Sequence, residues 1–245
     1  MTTNYDPIVE QYKRSKQQPW RTHVEAHSLL KLIGAPAGLC VLDMACGEGF
    51  YTRMVRQKGA AKVTGVDLSE GMIELARKQE AEHRQGIDYI VGDARELNLP
   101  QKFDLVIAAY LLNYAQNRGE LQAMCDAIAR CLKPGGRFVT VNSNPSLHVP
   151  TAPSYRKYEF ETTAVGEWRE GAPITWTFFL GDSSFEIENY YLDRGIHEEA
   201  FRAAGFQTTR WLEPELSPQG EAEFGSEFWA DFFAHPPIAL IECLK

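Results

Sequence analysis

From residue 40 to residue 143 the chain repeats one unit: a short apolar run, a turn, then a helical pattern. "LCVLDM" opens the series, followed by a glycine turn and a helix predicted over about residues 50–58 that Gly59 closes. "AKVTGVDL" is the second run, and Ser69 caps a helix over 70–83. "GIDYIVGDA" is the third, and "FDLVIAAYLL" the fourth, apolar without interruption as a strand buried on both faces would be. Leu121, Met124, Cys125, Ile128 and Leu132 then mark an amphipathic helix, and "KPGG" turns it into "RFVTVNS". Few folds accommodate this pattern. Short strands alternating with helices build a parallel sheet through right-handed crossovers.

The flanks complete the expectation. Tyr5, Ile8, Val9 and Tyr12 recur at helical spacing before Pro19, and a second helix is predicted over about 21–33 with Gly34 as its stop. After Ser143 the rhythm is lost: "NPSLHVPTAPSYRKYEF" reads as loop, and "PITWTFFL" and "FEIENYYL" as an antiparallel hairpin rich in aromatic residues. A helix near 197–204, the strand "QTTRWLEP", a helix carrying Phe224, Phe228, Trp229 and Phe232, and the strand "PPIALIECL" follow. The predicted class is α/β, a Rossmann-like, doubly wound seven-stranded sheet with six parallel strands and the last antiparallel. Four segments are expected: a helical lid over 1–34, the sheet core over 35–143, an inserted antiparallel β cap over 144–195, and the rest of the core sheet over 196–245.

"VLDMACGEG" and "VTGVDLSEGM" decide between ligands. Gly47 and Gly49 let a ligand approach the backbone where a helix offers unpaired N–H groups. A dinucleotide site needs a third glycine for close helix packing, and Thr52 stands there instead. Asp43, at the strand end, would repel a pyrophosphate; it suits a cationic ligand group, or orders the turn by accepting its N–H bonds. Asp67, 18 residues beyond Gly49, is placed to accept both hydroxyls of a ribose. Asp93, followed by Ala94, ends the third strand where an exocyclic adenine amine would lie. Open sheets bind ligands at this carboxyl edge. An NAD-dependent oxidoreductase is the alternative that Thr52 and Asp43 argue against.

The successive stretches "VLDMACGEG", "GVDLSEGM", "GDA", "FDLVIAAYLLNY" and "LKPGGRF" resemble the motifs of class I S-adenosylmethionine-dependent methyltransferases, in order and in spacing. Ala45 departs from the glycine common in that family. The resemblance implies S-adenosyl-L-methionine as cofactor. It places Asp43, Ala45 and Gly47 along the methionine portion, Asp67 at the ribose, Leu68 and Met72 against the adenine, Asp93 and Ala94 at its edge, and Ala109 and Tyr110 beneath the sulfonium. "YDPIVEQYKRSKQQPWR", "EGAPITWTF", "FEIENYYL" and "PPIALIEC" are also similar to methyltransferases of the toxoflavin type, which methylate ring nitrogens of an azapteridine. That implies a planar heteroaromatic substrate accepting a methyl group on ring nitrogen or oxygen.

Other expectations come from single residues and from composition. Tyr5 and Tyr12, seven apart on one helical face, either pack the lid or close it over the methyl group. Arg21 is a candidate clamp for the cofactor carboxylate. Trp176 and Phe178 share a strand face, with Phe179 on the other, and Trp176 is the ring expected to face substrate alongside Tyr5 and Tyr110. His23, Glu25 and His27 do not match H-E-x-x-H, since the acid sits between the histidines, and no metal is expected. Five cysteines without a C-x-x-C pair read as reduced thiols. A net charge of −8, with no basic block, disfavours nucleic-acid and anionic-membrane partners. With no signal-like or membrane-length apolar segment, the expected setting is cytoplasmic, as monomer or homodimer. A non-catalytic cofactor-binding protein and a protein methyltransferase are the remaining alternatives.

Overall fold

The computed structural model of the protein describes residues 5–97 and 99–245. A 3-10 turn (Asp6–Ile8) leads into α1 (Val9–Ser15), and a π-helical turn (Arg21–Ala26) into α2 (His27–Ile33). Then come β1 (Cys40–Met44), α3 (Phe50–Gln57), β2 (Lys62–Asp67), α4 (Glu70–Glu82), β3 (Ile87–Val91), β4 (Phe103–Ile107), α5 (Arg118–Cys131) and β5 (Leu132–Ser143). β6 (Phe160–Ala164), β7 (Pro173–Leu180) and β8 (Ser183–Tyr190) form a separate antiparallel sheet. The chain returns through α6 (Arg194–Ala203), β9 (Thr208–Leu212), α7 (Pro218–Phe224), α8 (Ser226–Ala234) and β10 (Ile238–Leu244).

The main sheet has the order β3-β2-β1-β4-β5-β10-β9, with β10 antiparallel to both its neighbours. This is the doubly wound arrangement read from the sequence. Winding reverses between β1 and β4, which opens a crevice at their carboxyl ends, where such sheets hold ligands. One face of the sheet packs against α2, α3, α4 and the cap, and the other against α5 and α6. β1 and β4 are buried almost throughout, as strands covered on both faces must be.

Three details depart from the sequence reading. The cap has three strands: β6 pairs with β7 from Phe160↔Phe178 to Ala164↔Ile174, whereas "YEF" and the residues before it read as loop. Phe160, fully buried between Trp20 and Trp176, anchors that strand, although "FETTA" is too short and polar to announce itself. The single helix expected around Phe224–Phe232 is two, broken at Gly225, whose φ of +77° suits glycine. The second lid helix begins as a π turn, so Arg21 and Glu25 both face inward.

Candidate functional site

The carboxyl ends of β1 to β4 border a cavity of about 340 Å³. From β1 come Ala45 and Gly47; from β2, Asp67 and Leu68, with Met72 of α4 beneath; from β3, Asp93 and Ala94; from β4, Ala109 and Tyr110. The lid covers it with Tyr5 and Tyr12, whose rings meet edge to face at 5.3 Å. Asp6 fastens this cover, accepting a hydrogen bond from Ser69 Oγ at 2.5 Å and from the Gly71 N–H at 3.3 Å.

Local backbone explains the shape. Ala45 and Gly47 have φ of +57° and +55°, so the chain after β1 curls in the left-handed region. A Cβ on Gly47 would stand 3.6 Å from the Tyr12 ring, inside the space between turn and lid. Asp67 braces the turn: its Oδ2 accepts the Gly47 N–H at 2.7 Å and its Oδ1 the Ser69 N–H at 2.9 Å. Each oxygen keeps a lone pair for a ligand hydroxyl. Burial raises this carboxyl above the ordinary aspartate range. Asp93 is held differently. Arg95 takes both its oxygens, at 2.6–3.2 Å, and holds it low, so an adenine amine would compete with a guanidinium that the sequence reading did not foresee.

Asp43 and Arg21 do not border this cavity. Asp43 lies fully buried beneath the turn and accepts a hydrogen bond from the Thr52 hydroxyl at 2.6 Å. Thr52, at the place of the missing glycine, is therefore the partner that makes the buried acid tolerable. Burial nonetheless pushes Asp43 up to about 7, against the Thr52 bond.

Arg21 borders a second, smaller cavity between the lid, the β4 loop and the cap. Its walls include the rings of Tyr12, Tyr110, Trp176 and Phe178, and it shares Tyr5, Tyr12, Tyr110 and Tyr114 with the large one. Trp176 and Phe178 are buried on one face of β7, while Phe179 on the other lies under Arg156, 3.3 Å from the ring centroid. The Tyr5 hydroxyl bonds that of Tyr114, a partner the sequence did not suggest.

Glu25 was also passed over, read only as a poor metal ligand. It is fully buried, faces Arg21 at 2.9 Å and Lys16 at 3.5 Å, and accepts the hydroxyls of Tyr51 and Tyr110. Burial alone would raise its carboxyl; Arg21 and then Lys16 outweigh that and keep it ionised below the usual range. The i,i+4 spacing of Arg21 and Glu25 was the available sequence signal. His23 points away, to Ser217 at 3.0 Å, and among the described residues no group of potential ligands is arranged for a metal.

Residues 41–136 match a methyltransferase domain. The chain is 36% identical over 187 residues to a demethylmenaquinone methyltransferase of Tropheryma whipplei, covering 74% of this chain and 72% of that protein. The chain belongs to the class I S-adenosylmethionine-dependent methyltransferases.

Other members extend the likeness. A ubiquinone biosynthesis O-methyltransferase of Stutzerimonas stutzeri is 34% identical over 116 residues, 46% of this chain and 48% of that one. A crystallised S-adenosylmethionine-dependent methyltransferase from Mesorhizobium loti superposes with a TM-score of 0.65 at 22% identity, over 94% of this chain and all of that one. In this methyltransferase S-adenosyl-L-methionine is the cofactor, and the large cavity fits it. Its volume lies within the range of about 300–1,000 Å³ usual for such ligands, and the Gly47 cradle and the open lone pairs of Asp67 supply close backbone approach and acceptors. The reaction moves a methyl group to a small molecule.

Proposed function

We propose that the acceptor is a planar aromatic or heteroaromatic molecule, methylated at a ring nitrogen or oxygen, seated where the small cavity, about 20 Å³ as it stands, meets the large one at their shared tyrosines. The observation that carries this reading is that one cavity, walled by flat rings, shares four tyrosines with the other. Asp67 would take the ribose hydroxyls, Leu68 and Met72 the adenine faces, Ala94 its edge, and Ala109 and Tyr110 the region of the sulfonium. Tyr5 and Tyr12 would close the lid over both ligands. Azapteridines of the toxoflavin type and quinol rings, the latter suggested by the relatives' names, both belong to this class of shape.

When bound, the cofactor supplies a methyl group carried on a positively charged sulfur. The chain's own contribution is alignment and dryness, and orientation alone is worth up to roughly 7–11 kcal/mol. No carboxylate or histidine borders the small cavity among the described residues. Burial drives the hydroxyls of Tyr5, Tyr110 and Tyr114 well upward, so at neutral pH they donate hydrogen bonds rather than remove protons. Trp176 and Phe178 would stack on the acceptor, where ring pairs add about 0.5–1.5 kcal/mol beyond area.

The test is methyl transfer from labelled cofactor to a panel of flat heterocycles and quinols, set against aliphatic amines and alcohols. Turnover confined to the aliphatic set would reject the reading. With a turned-over acceptor in hand, Trp176→Ala should raise its KM about tenfold or more while leaving cofactor affinity unchanged.

A further inference from the structure

The small cavity has an asymmetry of charge that flat rings alone do not require. Arg21 is 2% exposed and borders it, and the Arg21 Nε–H has no partner among the described residues although it is shut from water. Its Nη1 is committed to Glu25, at 2.9 and 3.3 Å to the two carboxylate oxygens. Lys16, also buried, faces the same carboxylate at 3.5 Å. Both cations thus face this acid, and Lys16 also acts on the buried Asp43. The other groups around Arg21 are neutral: Tyr12 of the lid, Tyr51 of α3, Tyr110 of the β4 loop, and Trp176, Phe178 and Asn189 of the cap. A buried donor left unpaired on a cation is costly unless something arrives to satisfy it.

Trp20, Trp176 and Phe178 line the cavity and favour a flat ligand, and the Arg21 carbon itself lies 4.6 Å from the Trp20 ring centroid and 4.8 Å from that of Phe178. The ligand must also bring its own reactivity, since no carboxylate or histidine borders the cavity among the described residues. We propose that this cavity selects acceptors bound as delocalised anions, molecules with an acidic ring N–H or O–H whose proton is left to solvent, and that Arg21 holds the negative oxygen or nitrogen through its free Nε–H. The inference rests on the planar-acceptor reading and sharpens it. Neutral amines and simple ethers are excluded as acceptors, while acidic lactams, imides and phenols are admitted. Arg21 is then a binding residue for acceptor, not the clamp on the cofactor carboxylate.

Two probes separate these ideas: a pteridinedione with an acidic ring N–H, and the same molecule with that nitrogen already methylated. Calorimetry in two buffers of different ionisation heat, with S-adenosylhomocysteine saturating, counts protons released on binding. One pH unit below the acidic probe's own pKa, its binding should release close to one proton, and it should bind about tenfold or more tighter than the neutral probe, as a charge-assisted bond requires. Arg21→Gln should abolish proton release and the preference together while changing S-adenosylhomocysteine affinity less than about twofold. Should that variant fold poorly with Glu25 left to Lys16 alone, Arg21→Gln combined with Glu25→Gln removes both charges and must show the same loss. Equal binding of the two probes without proton release overturns the anion proposal and leaves the planar reading standing. Binding of neither overturns both. Loss of S-adenosylhomocysteine affinity as large as the loss of probe affinity would return Arg21 to the cofactor carboxylate and overturn the assignment made here.

Discussion

Replacing Asp43 by asparagine should stabilise the protein, and more so as pH rises. The carboxyl is 1% exposed, at about 7 in the folded chain against about 3.9 when unfolded. For an acid raised in this way the folded state binds the extra proton, so stability is undiminished below pH ~4 and falls as pH climbs toward 7 and beyond. Integrating the linkage between pH 5 and pH 8 with those two values gives a loss of about 2.5 kcal/mol. Asp43→Asn keeps an oxygen that can accept the Thr52 hydroxyl and removes the titration. Urea unfolding of both proteins at the two pH values, without ligand, reports this group together with its coupling to Asp67, because titrations that Asp43 does not touch cancel in the difference. The asparagine protein should gain about 2.5 kcal/mol on its parent between pH 5 and pH 8, a midpoint shift of about 0.8 M at an m-value of roughly 3 kcal/mol/M. A difference between the two proteins that does not change with pH would show that Asp43 is ionised in the fold and that the Thr52 bond is more than enough to hold it.

Glu25→Gln should be among the most damaging substitutions, costing about 3–5 kcal/mol, because it takes from the buried Arg21 and Lys16 the carboxylate that both face; thermal melts should show it clearly below Glu223→Gln, whose acid is largely exposed. Ala45→Gly should stabilise by about 0.5–1 kcal/mol, since a φ of +57° costs an L-residue roughly 1–2 kcal/mol and glycine returns part of that as chain entropy; a lower melting temperature would mean the turn is held by more than its dihedral. Tyr5→Phe removes the hydroxyl bonded to Tyr114 while keeping the ring against Tyr12. If the lid positions ligands, it should lower kcat for a turned-over acceptor with little change in melting temperature, and unchanged turnover would confine Tyr5 to packing.

The strand ends were the legible part of this chain. Gly47 and Asp67 fall where a parallel sheet must expose its carboxyl edge, and Ala45, Ala109 and Tyr110, which the family resemblance implied, border the same cavity. Partnerships across long sequence distance were not legible. Nothing in "GDAR" says that Arg95 folds back onto Asp93. Nothing in "RTHVEAH" says that Glu25 leaves its own helix to meet Tyr51 and Tyr110, 26 and 85 residues away. β6 escaped because its pairing depends on a neighbour already in place, and Gly225 because a single glycine is a weak stop until its φ is known.

Beyond the four tyrosines they share, the two cavities draw most of their walls from different parts of the chain. Strand termini frame the larger one; the smaller, apart from Tyr110 and Tyr114, is furnished by residues 5–21 and by β7 and β8. Donor and acceptor compartments can consequently drift at separate rates. A lineage could exchange β7 and β8, and so acquire a new metabolite, without disturbing the strand-end grip on its methyl source.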